Sequence, residues 1–174
     1  MNLSRRIAAA TILVSFSLSL SAAPRPSPDF TISIVNGQPL HLSRYRGKVV
    51  VLALIVTSCP HCQTLTRMLS GLQKEFGPRG LQVLEAAITI QPEPDVPKFI
   101  ETFSPAFPVG STIYSNAMAY MGYGEKERRY TPYVTFIDRA GMIQGQFDGK
   151  SPVNAETVQL KNYRTIIEKL LASK

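Results

Sequence analysis

The chain has 174 residues and a hydrophobic fraction of 44%, which is enough for one domain with a core and too much for a disordered chain. It contains two cysteines, which excludes a disulfide-stapled scaffold, and it has no internal repeat, which excludes solenoids and propellers. The formal net charge is +7, but the basic residues are scattered along the chain. We therefore expect no nucleic-acid binding.

The first 23 residues have the pattern of a secretory signal peptide. Arg5 and Arg6 precede an apolar stretch over residues 7–20, and the small residues 21–23 resemble a cleavage site. This stretch is shorter than the roughly 20 residues that span a bilayer, and an uncleaved N-terminal anchor is the alternative interpretation. We expect an exported protein, in the periplasm or another extracytoplasmic compartment, where oxidising conditions favour a redox role for a close cysteine pair.

The rest of the chain predicts a short Pro-rich linker at residues 24–29 and one domain over residues 30–174. Asn36-Gly37 is a hairpin signal within residues 30–42, and the apolar run 49–56 predicts a strand buried on both faces. The other expected elements are a helix after the cysteines, a strand at 81–90, a short helix at 96–103, a strand or loop at 109–114, a helix at 115–121, a hairpin of strands 133–138 and 142–147, and a C-terminal helix beyond residue 153. This order predicts an α/β fold with a central mixed sheet, helices on both faces and an N-terminal β-hairpin extension.

Cys59 and Cys62 lie where the buried strand ends and the next helix begins. Open α/β sheets place their sites at the carboxyl ends of strands, and a helix N-terminus favours a thiolate through its unpaired N–H groups and its partial positive charge. The two-residue spacer allows the sulfurs to form a disulfide. We assign Cys59, which is nearer the helix start, as the attacking thiol of low pKa, and Cys62 as the buried resolving thiol.

The two spacer residues are the candidates for tuning this pair. Pro60 suits an early helical position, because its missing N–H would be unpaired there in any case. An imidazole at His61 would stabilise a thiolate further, and stabilising the reduced form makes a disulfide a stronger oxidant.

Cys-Pro-His-Cys after an apolar strand resembles the active site of thioredoxin-fold oxidoreductases, and its spacer matches that of DsbA. Over residues 28–171 the chain resembles the exported thiol–disulfide oxidoreductases of the TlpA/ResA type, within the thioredoxin-like and AhpC/TSA-like group. The supporting segments are Pro28-Asp29-Phe30, Asn36-Gly37, Leu42-Ser43 to Gly47-Lys48-Val49-Val50, Phe107-Pro108-Val109, and residues 131–138 with Gly141.

This resemblance implies a thioredoxin-like fold and exchange of a Cys59–Cys62 disulfide with protein thiols through a mixed disulfide. It implies that Pro132 is cis and faces the cysteines, and that the backbone of Thr131 pairs with an extended substrate. It also implies recycling by a membrane redox partner. We expect no metal and no cofactor beyond the redox-active disulfide, and a monomer.

Three positions depart from the family pattern. Ser58 replaces the usual tryptophan before the first cysteine, Ala53 occupies the place of a buried aspartate in thioredoxins, and Leu65 occupies the place of a glutamate in some ResA-like proteins. No obvious buried carboxylate is therefore available to take the proton of Cys62. Glu85, on the next strand, is the nearest acidic candidate, and its facing cannot be read from the sequence.

Two other functions remain open at this point. A thiol peroxidase would share the N-terminal hairpin, but Val56 stands where peroxiredoxin-like chains carry Thr or Ser. A copper-binding assembly protein would use soft thiolates and His61, but no histidine follows His61 in the chain.

The remaining candidate residues have ordinary structural interpretations. His41 is expected at the surface rather than as a ligand, and the run at residues 125–129 as a solvated charged face that could also serve as a rim for a partner. Four tyrosines could line a groove or simply pack: Tyr120, Tyr123, Tyr130 and Tyr133.

Overall fold

A computed structural model describes residues 24–89, 95–124 and 130–173. The strands in these ranges are β1 (Arg25–Pro26), β2 (Thr31–Ile32), β3 (Leu40–His41), β4 (Val49–Ile55), β5 (Leu81–Thr89), β6 (Val109–Ile113), β7 (Tyr133–Ile137) and β8 (Met142–Phe147). The α-helices are α1 (Pro60–Phe76), α2 (Val96–Phe103), α3 (Tyr114–Met121) and α4 (Gln159–Ala172). Short 3-10 turns cover Leu42–Tyr45, Gly77–Arg79 and Pro152–Asn154.

Six strands form one mixed sheet in the order β1-β8-β7-β4-β5-β6. β4 lies in the middle, parallel to β5 and antiparallel to β7, and β6 continues the sheet parallel to β5. All seven residues of β4 are buried, as the uninterrupted apolar run predicts for a strand that is covered on both faces. The expected α/β fold with a mixed sheet is confirmed.

Each face of the sheet is covered by its own apolar layer. Helices α1, α2 and α4 contribute to one layer, where Leu69, Phe99 and Ile167 belong to the same cluster as alternate residues of β4. On the opposite face lie α3 and the β2–β3 hairpin, and the rings of Phe30 and Tyr120 are 4.9 Å apart. The side chains of β4 therefore alternate between the two layers. Packing on both faces holds in place the end of β4 from which the chain continues to the cysteines.

The N-terminal hairpin forms as predicted, with β2 and β3 antiparallel. Asn36 in its connection adopts a left-handed conformation with φ of 55°. Ser33 and Ser111 exchange backbone hydrogen bonds of 2.8 and 2.9 Å, which attach the hairpin to the outer edge of β6. The approach is close, because a Cβ atom at Gly110 would lie 2.3 Å from the carbonyl oxygen of Ser33.

Residues 24–29 differ from the linker that the prolines suggest, because they are held against the domain. β1 pairs with β8, and its position at the sheet edge tolerates proline. The hydroxyls of Ser27 and Tyr120 lie 2.9 Å apart in a buried contact. The expected signal peptide at residues 1–23 lies outside the described residues, and within the described ranges no helix is long and apolar enough to cross a membrane.

The hairpin contact leads to a matched pair of glycine substitutions. Gly110→Ala should lower the free energy of unfolding by about 1–3 kcal/mol, because the new methyl group must displace the Ser33 backbone. Gly71→Ala should raise it by roughly 0.5–1 kcal/mol, because Gly71 is an exposed residue inside α1 with open space around it. Urea unfolding of both variants measures this, and equal effects at the two sites would contradict the close approach.

Candidate active site

The cysteine pair lies directly beyond the carboxyl end of β4. Cys59 is the N-cap of α1, with φ of −80° and ψ of 119°, and Pro60 begins the helix. Cys62 lies in the first turn and has no exposed surface, whereas Cys59 is partly exposed. Both are free thiols in the structure. A protein or peptide approaching from solvent can therefore reach the sulfur of Cys59 and not that of Cys62.

The surroundings of Cys59 favour its thiolate. Partial burial opposes ionisation, but hydrogen bonds outweigh it, so the pKa of Cys59 lies below its ordinary value. These bonds come from the backbone N–H and the thiol of Cys62, the hydroxyl of Thr131 and the backbone N–H of His61. Hydrogen bonds to the charged form lower the pKa of an acid, and the backbone donors are those that the first turn of a helix leaves free.

The surroundings of Cys62 have the opposite effect. Burial raises the pKa of the Cys62 thiol far above its ordinary value, and the adjacent Cys59 raises it further. Hydrogen bonds from the backbone of Val56 and the side chain of Thr131 oppose this shift without reversing it. The reduced pair is therefore a thiolate next to a thiol that keeps its proton.

Thr131 and Pro132 lie opposite the cysteines, and the peptide bond between them is cis. Pro132 is buried, and the hydroxyl of Thr131, which has one hydrogen to donate, lies within hydrogen-bonding reach of both cysteine thiols. Gly149 packs against this peptide so closely that a Cβ atom there would lie 2.5 Å from the Thr131 carbonyl oxygen. The family resemblance implies a role for the backbone of Thr131 and does not indicate the contact between its hydroxyl and the cysteine thiols.

His61 lies beside the pair, but its imidazole contacts another partner. Its side chain is 67% exposed, and Nδ1 is 2.8 Å from Oε1 of Glu156, in the segment before α4. The hydrogen bond by which His61 lowers the pKa of Cys59 comes from its backbone. Glu156 cannot be identified from the sequence, because no local pattern links two residues so distant in the chain.

A shallow cleft extends from Pro132 along this side of α1. It is lined by His61, Thr64, Pro132, Gly149, Asn154, Glu156 and Gln159. The cleft borders the cis peptide and offers both polar and charged atoms. It therefore lines the approach to the cis peptide with polar and charged atoms.

Glu85 faces the interior on the α1 side of the sheet. It is fully buried and pairs in register with Ala53 of β4. The hydroxyl of Thr66 lies 2.9 and 3.1 Å from its two carboxylate oxygens. Burial raises the pKa of Glu85 to about 8, and the hydrogen bond from Thr66 opposes the shift. The sequence does not show this facing, because β5 is buried on both faces and has no apolar–polar alternation.

The other candidate residues behave as ordinary structure where the chain is described. His41 is partly exposed, with Nδ1 3.2 Å from the Thr31 hydroxyl. Tyr120 and Tyr133 are buried in the layer that holds α3, whereas Tyr130 is exposed beside Lys150, whose Nζ lies 3.8 Å from the ring centre. The charged run at residues 125–129 lies outside the described residues. Among the described residues, no group of three or more His, Cys, Asp and Glu side chains could hold a metal ion.

Comparison with known proteins fits this geometry. The family model described as AhpC/TSA matches residues 24–146, well over half of the chain. The chain belongs to the AhpC/TSA family. This agrees with the wider group that the sequence motifs indicate.

Individual relatives include proteins named for thiol chemistry. The chain is 27% identical over 118 residues to the thiol-disulfide oxidoreductase ResA of Geobacillus thermodenitrificans, covering 68% of this chain and 64% of that protein. It is 28% identical over 139 residues to glutathione peroxidase 7 of Mus musculus, covering 72% of this chain and 75% of that protein. The chain thus spans under two thirds of the ResA relative, and the expected resemblance to ResA-type proteins is confirmed.

A solved structure shows the same fold. A thiol:disulfide interchange protein of the thioredoxin family from Chlorobium tepidum superposes with a TM-score of 0.69 at 24% identity, covering 87% of this chain and 99% of that one. The thioredoxin-like fold is thereby confirmed.

The Thr131 contact can be tested by removing its hydroxyl. Thr131→Val should raise the pKa of Cys59 and slow its alkylation near neutral pH about tenfold, because a hydrogen bond to a charged acceptor contributes about 1.5 kcal/mol. Thr131→Ser keeps the hydroxyl and should react like the wild type. Ultraviolet absorbance of the thiolate against pH, with alkylation rates, measures both. If the valine and serine variants react alike, the hydroxyl does not stabilise the thiolate.

The buried carboxyl makes folding depend on pH. The folded pKa of Glu85 is about 8 against an ordinary value of 4.5, so as the pH rises the unfolded chain loses this proton first. Its contribution to stability is complete below about pH 4.5 and is lost by about pH 8. Glu85→Gln cannot ionise and should gain a few kcal/mol relative to the wild type across that interval. Urea unfolding measures this, with the exposed Glu101→Gln as the control that should show no such trend.

Proposed function

We propose that this protein is an exported thiol–disulfide oxidoreductase that exchanges a Cys59–Cys62 disulfide with protein thiols. The observation that carries the proposal is the unequal acidity of two adjacent thiols, one partly exposed and one buried. An exposed thiolate is a nucleophile and a good leaving group, and a buried thiol beside it limits the lifetime of any mixed disulfide.

The exchange proceeds in two balanced steps. In the oxidising direction, a substrate thiolate attacks the sulfur of Cys59, the Cys59–Cys62 bond breaks, and Cys62 takes up a proton. A second substrate thiolate then attacks the substrate sulfur of the mixed disulfide, and Cys59 leaves as the thiolate. The substrate loses two electrons to become a disulfide, and the cysteine pair gains them. In the reducing direction the same steps run backwards, with Cys62 losing its proton to attack Cys59.

The substrate we propose is an extended segment of a protein that lies against the cis peptide. β7 begins at Tyr133, so Thr131 directly precedes the sheet ladder, and in this proposal its backbone pairs with the extended substrate. The shallow cleft beside Pro132 would offer polar and charged atoms next to the reacting cysteine. Pairing through the backbone would fix the substrate without demanding a particular sequence.

The N-terminal pattern and the redox chemistry together support an extracytoplasmic setting and recycling by a membrane redox partner. The equilibrium constant with glutathione assigns the direction of electron flow. A potential above about −180 mV would place the protein with disulfide donors, and one near −250 mV or below with reductants that need an electron supply.

Trapping of the mixed disulfide tests the exchange mechanism. Cys62→Ser should accumulate partner proteins joined to Cys59 through bonds that dithiothreitol releases, because the resolving thiol is missing. Cys59→Ser is the matched control and should trap none, because Cys62 is buried. Non-reducing electrophoresis and mass spectrometry measure both variants. Equal trapping by the two, or none by Cys62→Ser, would contradict the proposal.

Thiol peroxidase activity is a second candidate, favoured by the similarity to mouse glutathione peroxidase 7 over 72% of the chain. Stopped-flow consumption of hydrogen peroxide distinguishes it. A peroxidase would consume peroxide rapidly through Cys59 and lose this in Cys59→Ser, whereas we expect slow consumption compared with disulfide exchange.

A further inference from the structure

A carboxyl group and a hydroxyl group are enclosed in the apolar layer behind the cysteines. Glu85 on β5 and Thr66 on α1 have no exposed surface. Their neighbours in the sheet register and along the helix are apolar: Ala53, Val109, Leu65 and Leu69. Burying a carboxyl group in such a layer costs several kcal/mol unless it is neutral or well paired, which makes Glu85 a candidate for a functional role.

The hydrogen atoms available to this pair allow two arrangements. The Thr66 hydroxyl lies 2.9 and 3.1 Å from the carboxylate oxygens of Glu85 and 3.0 Å from the carbonyl oxygen of Cys62, but it has one hydrogen to donate. When Glu85 is ionised, that hydrogen goes to the carboxylate. When Glu85 is protonated, its own O–H can donate to Thr66, which then donates to Cys62. Protonation of Glu85 thus adds a hydrogen bond to the backbone of the resolving cysteine.

The charge near this pair changes with the redox state. The disulfide is uncharged, whereas the reduced pair carries a thiolate on Cys59. Thr66 follows Cys62 by one helical turn, which places the carboxyl of Glu85 about one turn behind the cysteines. A carboxylate at Glu85 and a thiolate at Cys59 are like charges with buried protein between them, so reduction favours the protonated form of Glu85.

We propose that Glu85, acting through Thr66, takes up a proton when the Cys59–Cys62 disulfide is reduced and releases it when the disulfide forms again. The inference rests on the proposed function. When the disulfide is reduced by two thiols of a substrate or of glutathione, those thiols become a disulfide and release two protons. One proton goes to the sulfur of Cys62. The other is bound by Glu85 over the pH range in which its carboxyl is protonated in the reduced form and ionised in the oxidised form.

The groups that face Glu85 leave no other described source for this behaviour. Its register partners on β4 and β6 are Ala53 and Val109, and from α1 the hydroxyl of Thr66, one helical turn after Cys62, contacts its carboxylate. The causes of its pKa shift are burial and the Thr66 hydrogen bond, with no charged side chain among them. A change of charge that shifts the pKa of Glu85 on reduction would therefore come from the cysteine pair.

The test is the equilibrium constant for reduction by glutathione, measured against pH for the wild type and Glu85→Gln. Dividing the wild-type constant by the Glu85→Gln constant cancels the titration of glutathione and of the cysteines themselves. This ratio should fall at least about fivefold from about pH 6 to 9.5, because the ionised carboxylate disfavours the reduced wild type and the amide does not. A ratio that is independent of pH would overturn the inference, because a purely structural role of Glu85 would not make the balance between the oxidised and reduced forms depend on pH.

Two variants of Thr66 test the hydroxyl. Thr66→Val removes the donor that favours the ionised carboxylate, so the pH at which the constant changes should move upwards. Thr66→Ser keeps the hydroxyl and should leave it unchanged. Identical curves for the valine and serine variants would contradict the part assigned to Thr66.

A measurement on the wild type alone covers the case in which the core variants do not fold. The infrared difference spectrum at about pH 8 should gain the carbonyl band of a protonated carboxyl on reduction, and the absence of that band would overturn the inference. If the wild type does not exchange with glutathione or with protein thiols, the proposed function itself fails. If the wild type exchanges but the ratio of the two equilibrium constants does not change with pH, only the role proposed for Glu85 fails.

Discussion

The first turn of α1 is the constraint on which the active site depends. Its free backbone N–H groups would be unsatisfied at the end of an apolar strand, and two of them instead bind the sulfur of Cys59. That arrangement requires α1 to begin directly after β4, with Cys59 as the N-cap and a proline in the next position. The acidity of Cys59 is thus a property of the backbone before it is a property of any neighbouring side chain. The imidazole of His61 is exposed and contacts Glu156, which agrees with a larger contribution of the backbone than of this side chain to the acidity of Cys59.

The same geometry explains why the two thiols differ. One turn of helix carries the chain from the surface to the interior, so Cys62 belongs to the cluster that packs between α1 and the sheet. Low dielectric disfavours a thiolate there, and the proton of Cys62 instead forms a hydrogen bond to the sulfur of Cys59. The hydroxyl of Thr131 contacts both sulfurs from the opposite side. One helical turn and the loop that carries Thr131 therefore account for the different acidities of the nucleophile and the resolving thiol.

Much of this arrangement can be predicted from the sequence, and the rest cannot for identifiable physical reasons. The run at residues 49–56 and the helical spacing after Cys62 are local signals, and β4 and α1 follow them closely. The cis peptide at Pro132 follows from the family resemblance and not from spacing. The facing of Glu85 is invisible because a doubly buried strand has no alternation. Residues 24–29 look like a linker because proline content says nothing about an edge strand that completes the sheet.

The spacing of the cysteines also bears on the two enzyme activities considered. If a peroxide oxidises the thiolate of Cys59, the sulfur becomes a sulfenic acid and the peroxide leaves as an alcohol or water. The thiol of Cys62, already hydrogen-bonded to that sulfur, would then displace water and form the same Cys59–Cys62 disulfide that exchange with a protein disulfide produces. Both reactions thus converge on one oxidised state, and they differ in the group that first meets Cys59. The features that distinguish them lie outside the pair, at the cis peptide of Thr131 and Pro132, where the proposed extended segment would lie.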